Sequence, residues 1–282
     1  MPYTWTLRLR AAAPREQQVT PAQLHALACT LLEGAAIDHH SQTKPFSVTP
    51  LMGAPDAPGC ALLALGWLDD STTPPLDKRL GEQVRLGGQF FTVEDAHVTG
   101  APYAALRTLP PSRRVTMDFL SVTYFTRKGR WIPLPDPELL YAGLARRWNT
   151  YAGIPIPDGL ITALREAVLL AAHEVRSAPA EIGQGHRIGF LGQASFTLLR
   201  TVDTEVLAAF TALSRFAECA GVGAQTTHGL GWTTVTTLER GRGAADKQPS
   251  RRDRYRPARR QPVGLDSGAS QTGRSQTQKG IM

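Results

Sequence analysis

The sequence predicts an α+β protein of two tandem ferredoxin-like (βαββαβ) domains, with a disordered basic C-terminal tail. Three observations carry that prediction. Strand-like and helix-like hydrophobic periods alternate in βαββαβ order through residues 1–109. A similar order returns, with one extra helix, through 110–240. From 241 to 282 large aliphatics nearly vanish and Arg, Gly, Ser, Gln and Pro take over. Such a segment buries too little apolar area to offset its ordering entropy.

The elements follow in chain order. Tyr3, Trp5, Leu7 and Leu9 alternate with Thr4, Thr6, Arg8 and Arg10, the period of a half-buried strand. Thr20-Pro21-Ala22-Gln23 combines an N-cap Thr, Pro at the first helical position and Gln at the capping-box position. Leu24, Leu27, Ala28 and Leu31 form that helix's apolar stripe, and Gly34 suits its C-terminal cap. The runs 44–51 and 60–68 read as strands. A short helix at 76–83 and a strand at 89–98 complete the first unit.

Pro110-Pro111 marks the joint between the units. Residues 115–125 read as a strand. Asp136-Pro137-Glu138 opens a helix with Leu140, Leu144 and Trp148 on one face. Asp158 is expected to cap a second helix, whose stripe Ile161, Leu164, Val168, Ala171 and Val175 carries it to 175. Residues 186–199 read as a strand pair or a strand bent at Gly192. Asp203 is expected to cap a helix with Val206, Phe210, Leu213, Phe216, Ala217 and Ala220 on its face, and 232–238 is the last strand.

The net charge of +7 sits in the tail. Residues 241–282 hold ten Lys/Arg and three Asp, leaving 21 charges of each sign in the first 240. Polyanion affinity in the body must therefore come from local patches. The three cysteines, Cys29, Cys60 and Cys219, form no C-x-x-C and read as apolar fillers in a reducing compartment. No apolar run approaches the roughly 20 residues of a membrane span, and residues 1–10 lack a signal-peptide apolar core. The expectation is a cytoplasmic protein with no membrane partner.

Residues 221–231 read G-V-G-A-Q-T-T-H-G-L-G. A dinucleotide fingerprint leaves a strand and opens a helix, whereas this loop leaves a helix and enters a strand. Two readings stay open: a turn rich in spare glycines, or a backbone-lined groove. In the second, glycine amides and the hydroxyls of Thr226 and Thr227 donate to phosphate. The pieces Gly189-Phe190-x-Gly192, Phe216-Ala217-Glu218-x-Ala220-Gly221 and the loop with Gly221, Gly223, Thr226, Gly229 and Gly231 resemble the carboxyl half of the CRISPR repeat-processing endoribonucleases, the Cas6 family of the RAMP superfamily. The resemblance implies two ferredoxin-like domains and RNA contacts from Gly221, Gly223, Gln225, Thr226, Thr227, His228, Gly229 and Gly231. Members often carry a Lys where this chain has Gln225, which removes one cation from the loop.

Residues 36–51, "AIDHHSQTKPFSVTPL", place two histidines and a lysine within six positions. An imidazole transfers protons in both directions near neutrality. The run Lys44-Pro45-Phe46 to Pro50-Leu51 resembles the family motif that follows the loop bearing its catalytic histidine. His39 and His40 compete for that role, with the spacing to Lys44 favouring His39; Lys44 is the expected phosphate-charge stabiliser. Adjacent histidines in an extended segment point apart, and no third ligand cluster stands nearby, so no metal or cofactor is expected. No nucleophile elbow supports a Ser-His-Asp hydrolase. His25, beside the first helix's stripe, reads as an ordinary helix residue.

Basic residues cluster in 101–160, eight against four acids. Arg113, Arg114, Arg127, Arg130 and, further on, Arg187 are candidate RNA contacts. Lys128 and the pair Arg146-Arg147 lie in the same clusters. Tyr124, Phe125 and Trp131 interleave with one of them and stack bases if exposed or fill the core if buried. The implied partner is CRISPR repeat RNA in precursor transcripts, with other effector subunits and a second copy of the chain as further candidates. The implied product is a 2′,3′-cyclic phosphate. The competing class is a non-catalytic RNA-binding RAMP subunit, which has no use for paired histidines ahead of Lys44.

Overall fold

The computed structural model describes residues 2–12, 19–32, 44–183 and 185–237. The first half is built on β1 (Tyr3–Ala11), β2 (Phe46–Val48), β3 (Met52–Gly53), β4 (Cys60–Trp67), β5 (Gln83–Leu86) and β6 (Gln89–Gly100), with helix α1 (Pro21–Leu31) between β1 and β2. The strand order is β2-β4-β1-β6-β5, and β3 also pairs with β4. The capping box of α1 forms as its sequence predicts. The Thr20 hydroxyl accepts from the Gln23 amide at 3.3 Å, and the Gln23 side chain accepts from the Thr20 amide at 3.0 Å. The stripe Leu24, Leu27, Ala28 and Leu31 is buried against the sheet's Leu7, Leu9, Phe46 and Leu65.

In the second half, β7 (Arg114–Thr123) leads to a separate hairpin of β8 (Phe125–Arg127) and β9 (Arg130–Ile132). Then come α3 (Pro137–Tyr151), α4 (Asp158–Ala167), β10 (Val168–Ile182), β11 (Gly185–Leu198), α5 (Thr204–Ala220) and β12 (Thr233–Thr237). The sheet order is β10-β11-β7-β12. Numbered by appearance within each half, with β3 and β5 set aside as additions to the first sheet, the four remaining strands of each sheet run 2-3-1-4. That is the ferredoxin-like order, and it occurs twice in one chain.

Several elements depart from the sequence reading. The helix expected to reach Val175 stops at Ala167, where the chain turns into the long strand β10. Val168 to Val175 has a helical apolar period, but β10 pairs with β11 from Val168↔Leu198 to Ile182↔Gly185. The ladder pairs one edge of β10 along its length, and tertiary pairing overrides local propensity. Pro157 rather than Asp158 is the N-cap of α4, and Asp203 makes no side-chain cap bond. The expected helix at 76–83 is one 3₁₀ turn, Leu76–Arg79. The short strand β5 and α2 (Tyr103–Arg107) were not anticipated. β11 does bend near Gly192, where its register to β7 shifts. Gly34 and the tail lie outside the described residues.

The halves are joined by a polar and aromatic seam. Tyr103 of α2 inserts into the second core, edge-on to Trp148 at 4.6 Å, and its hydroxyl donates to the Leu68 carbonyl at 2.8 Å. The end of α5 docks on β2 and β4. Ser47 Oγ donates to the Cys219 carbonyl at 2.6 Å. That carbonyl lies 2.0 Å from where a Cβ on Gly66 would stand, so position 66 tolerates no side chain. The Arg147 guanidinium bonds the Ala220 carbonyl on one side and the Phe46 carbonyl on the other, the latter at 3.2 Å.

Candidate functional site

What comes close to the glycine loop is, first, the protein itself. Gly231 has φ +70°, and a Cβ there would sit 1.9 Å from the Val222 carbonyl oxygen. Gly223 has φ +83°, and its Cβ would meet the Tyr124 carbonyl at 2.5 Å. Both positions combine a left-handed backbone with a carbonyl in the side chain's place, which leaves glycine alone suitable. The loop is pinned rather than loose. Val222 N donates to Gly231 O at 2.8 Å, Gly231 N to Val122 O at 3.1 Å and Ala224 N to Tyr124 O at 2.9 Å. The amides of Gly221 and Gly231 are thus used within the fold. Gln225 takes φ +60° without being glycine.

The tip of the loop, a 3₁₀ turn at Thr226–His228, docks on α1. His25 Nδ1 donates to the Thr227 carbonyl at 3.0 Å. The rings of His25 and His228 stack with centroids 4.1 Å apart and planes 1° from parallel. Burial, with the neighbouring His25 ring adding to it, lowers the His228 pKa to about 4, so this imidazole is neutral at pH 7. His25, read from sequence as an ordinary helix residue, thus packs against the loop through Thr227 and His228. Its only local signal was a polar residue at the flank of a buried stripe.

Loop and helix together floor a cleft of about 370 Å³. His25 and Lys44 line it from the first half, Arg146, Arg147 and Thr150 from α3, and residues 223–228 from the loop. Among the described residues, none that lines it is a carboxylate. Burial lowers the Arg147 pKa to about 10, still a cation at neutral pH. Three cations from two separate halves thus face one polar hollow, an arrangement that attracts anions.

The structure brings some expected residues together and separates others. Lys44 lies in the cleft with Gln225, Thr226, Thr227 and His228. His39 and His40 lie outside the described residues, in the segment that leads into Lys44. Arg113 and Arg114 stand at the start of β7, while the glycine loop abuts its other end. Ten residues at about 3.3 Å each put roughly 30 Å between them, and Arg113 donates to the Leu199 carbonyl there. Arg127 pairs with Glu138 at 3.7 Å. Arg130 is exposed on β9, and Arg187 lies over Trp131. Tyr124 and Phe125 are buried.

Fold and cleft define a class: a tandem ferredoxin-like protein whose two units share one basic groove. A family model described as CRISPR-associated endoribonuclease Cas6 matches residues 117–233. A Mycobacterium tuberculosis protein described as CRISPR-associated endoribonuclease Cas6 is 35% identical over 130 residues, 46% of this chain and 41% of that relative's length. A solved Cas6 product complex is 30% identical with TM-score 0.72, covering 84% of this chain and 100% of that one. A Thermus thermophilus Cas6 is 27% identical with TM-score 0.65, covering 84% and 98%. The chain belongs to the CRISPR-associated endoribonuclease Cas6 family.

Proposed function

We propose that the protein is a metal-independent endoribonuclease that cleaves CRISPR repeat RNA in precursor transcripts to give mature guide RNAs. The observation that carries this reading is the shared cleft. A lysine from one half, two arginines from the other and a pinned glycine loop converge on one hollow, with no carboxylate lining it among the described residues. A matching relative was solved as a product complex.

RNA supplies its own nucleophile, so the protein needs only to position, exchange protons and stabilise charge. A base takes the 2′-OH proton as the 2′ oxygen attacks the adjacent phosphorus. The P–O5′ bond breaks, and an acid protonates the departing 5′ oxygen. The products are a 2′,3′-cyclic phosphate and a 5′-hydroxyl. We assign the proton transfers to His39 or His40, which precede Lys44 by five and four residues. Lys44 stabilises the extra negative charge on the phosphoryl oxygens in the transition state. His228 serves as a neutral wall of the groove, since a group with pKa about 4 is a weak base at pH 7. The loop of 223–228 holds the backbone in register through Thr226 and Thr227 and through the amides of Gly223 and Gln225, which have no backbone partner among the described residues. In this reading 1–109 supplies the chemistry and 110–240 the grip.

The test is cleavage of repeat RNA in EDTA, beside a strand carrying one 2′-deoxy residue at the cut position. The reading expects full cleavage of the first and none of the second. A requirement for divalent metal, or a cut deoxy strand, contradicts it.

A further inference from the structure

Trp131 differs from the aromatic residues around it. Tyr124 and Phe125, on the same stretch, are 3% and 4% exposed, whereas Trp131 is 50% exposed. It sits on β9, opposite Thr126 in the β8–β9 hairpin. The Arg187 guanidinium, reaching from β11, lies 3.6 Å from the indole centroid. One ring face carries this cation, and half of the residue's surface stays open to solvent.

The cations around it are largely unneutralised. Arg127 is held by Glu138, but Lys128, Arg130 and Arg187 have no carboxylate partner among the described residues. Lys128 and Gly129 form the turn with φ +50° and +74°, a tight connection that fixes the hairpin and hence the indole plane. The hairpin also starts where the cleft ends. β8 follows Tyr124, whose carbonyl accepts the Ala224 amide of the glycine loop. A strand leaving the cleft past Ala224 meets the hairpin next.

We propose that Trp131, backed by Arg187, is a stacking subsite for one unpaired nucleobase of the bound RNA, with Lys128 and Arg130 on the flanking phosphates. The inference rests on the RNA-binding reading above and adds the conformation of the ligand at this point. A base inside a duplex has both faces occupied, so a single exposed indole selects an unpaired one. Arg187 fixes the ring and adds charge beside the stacked base.

The experiment uses the full chain and two labelled probes, a 12-mer 2′-methoxy oligouridylate that resists cleavage and a blunt RNA duplex of equal length. Anisotropy titrations compare wild type, Trp131→Ala, Trp131→Phe and Arg187→Lys. Loss of the indole is expected to weaken oligouridylate binding about tenfold, leave duplex affinity unchanged and be largely rescued by Phe. Arg187→Lys should fall between, because a lysine does not stack flat. The subsite is overturned if wild type fails to bind the oligouridylate, if Trp131→Ala binds it as wild type does, or if it loses both probes equally. The Phe variant keeps the result readable should the Ala variant unfold. Because binding is read without cleavage, a protein that stacks but never cuts repeat RNA sinks the nuclease reading and spares the subsite. One that cuts with no loss in Trp131→Ala does the reverse.

Discussion

The two halves share a strand order but not a build. The first packs α1 on its sheet and has a 3₁₀ turn, Leu76–Arg79, where the second helix of the unit belongs. The second packs α3, α4 and α5 around Trp148, Tyr141, Phe196, Phe210 and Phe216. The heavier half holds the glycine loop in fixed register against β7, and the lighter half brings Lys44 and His25 up to it. One fold thus carries two different helical layers. In the function proposed above, the half with the deeper core is the one that grips the RNA.

That contrast can be broken at four points, in falling order of effect. Replacing the true acid/base histidine, His39→Ala or His40→Ala, is expected to slow single-turnover cleavage about 10²–10⁴-fold with RNA affinity unchanged. Full activity in both variants removes the chemical role of the first half. Gly231→Ala should instead act on the fold. A Cβ 1.9 Å from the Val222 carbonyl, at φ +70°, is expected to cost at least about 3 kcal/mol in denaturant unfolding. Gly129→Ala, at φ +74° with nothing within 4 Å, should cost about 1–2 kcal/mol. Equal costs would mean that the loop is not clamped as described.

Arg147→Met tests the seam. It leaves the Ala220 and Phe46 carbonyls without their charged donor and should cost about 2–4 kcal/mol. Arg146→Met, at an exposed position on the same helix, should stay within about 0.5 kcal/mol. A seam loss no larger than the surface one would show the halves to be independent. The smallest effect is in pH. His228 has its folded pKa lowered to about 4 against an ordinary 6.5, so between those values the unfolded chain binds the extra proton. Stability contributed by the neutral ring is complete above pH 6.5 and declines as pH falls toward 4. The slope stays below the one-proton limit of about 1.4 kcal/mol per pH unit, since the ring is partly exposed. In His228→Asn that part of the slope should vanish from pH-dependent melts, and an unchanged slope would place the titration elsewhere.

Much of this architecture is legible in the residues. The Thr20 capping box, the α3 face of Leu140, Leu144 and Trp148 and the α5 face from Val206 to Ala220 are strong local signals, and each forms as read. β10 was not legible, because Val168 to Val175 fits a helical period and only its ladder with β11 decides otherwise. In the candidate site, the glycine pattern announced the loop, but the contact that requires Gly223 comes from the Tyr124 carbonyl, far away in sequence. His25 was hidden for a similar reason. Its partner is Thr227, 202 residues further on, and no local period encodes that contact. Trp131 was undecided in sequence, since exposure alone separates a stacking ring from a core one.

The most direct measurement is a photo-crosslink from 4-thiouridine placed beside the scissile phosphate of the repeat RNA, with the attached peptides identified by mass spectrometry. If the cut occurs in the groove shared by both halves, adducts fall within residues 25–44 and within 223–228 of the same protein. Adducts confined to one half, or gathered at Arg113 and Arg114 on the far end of β7, contradict a catalytic centre built between the two.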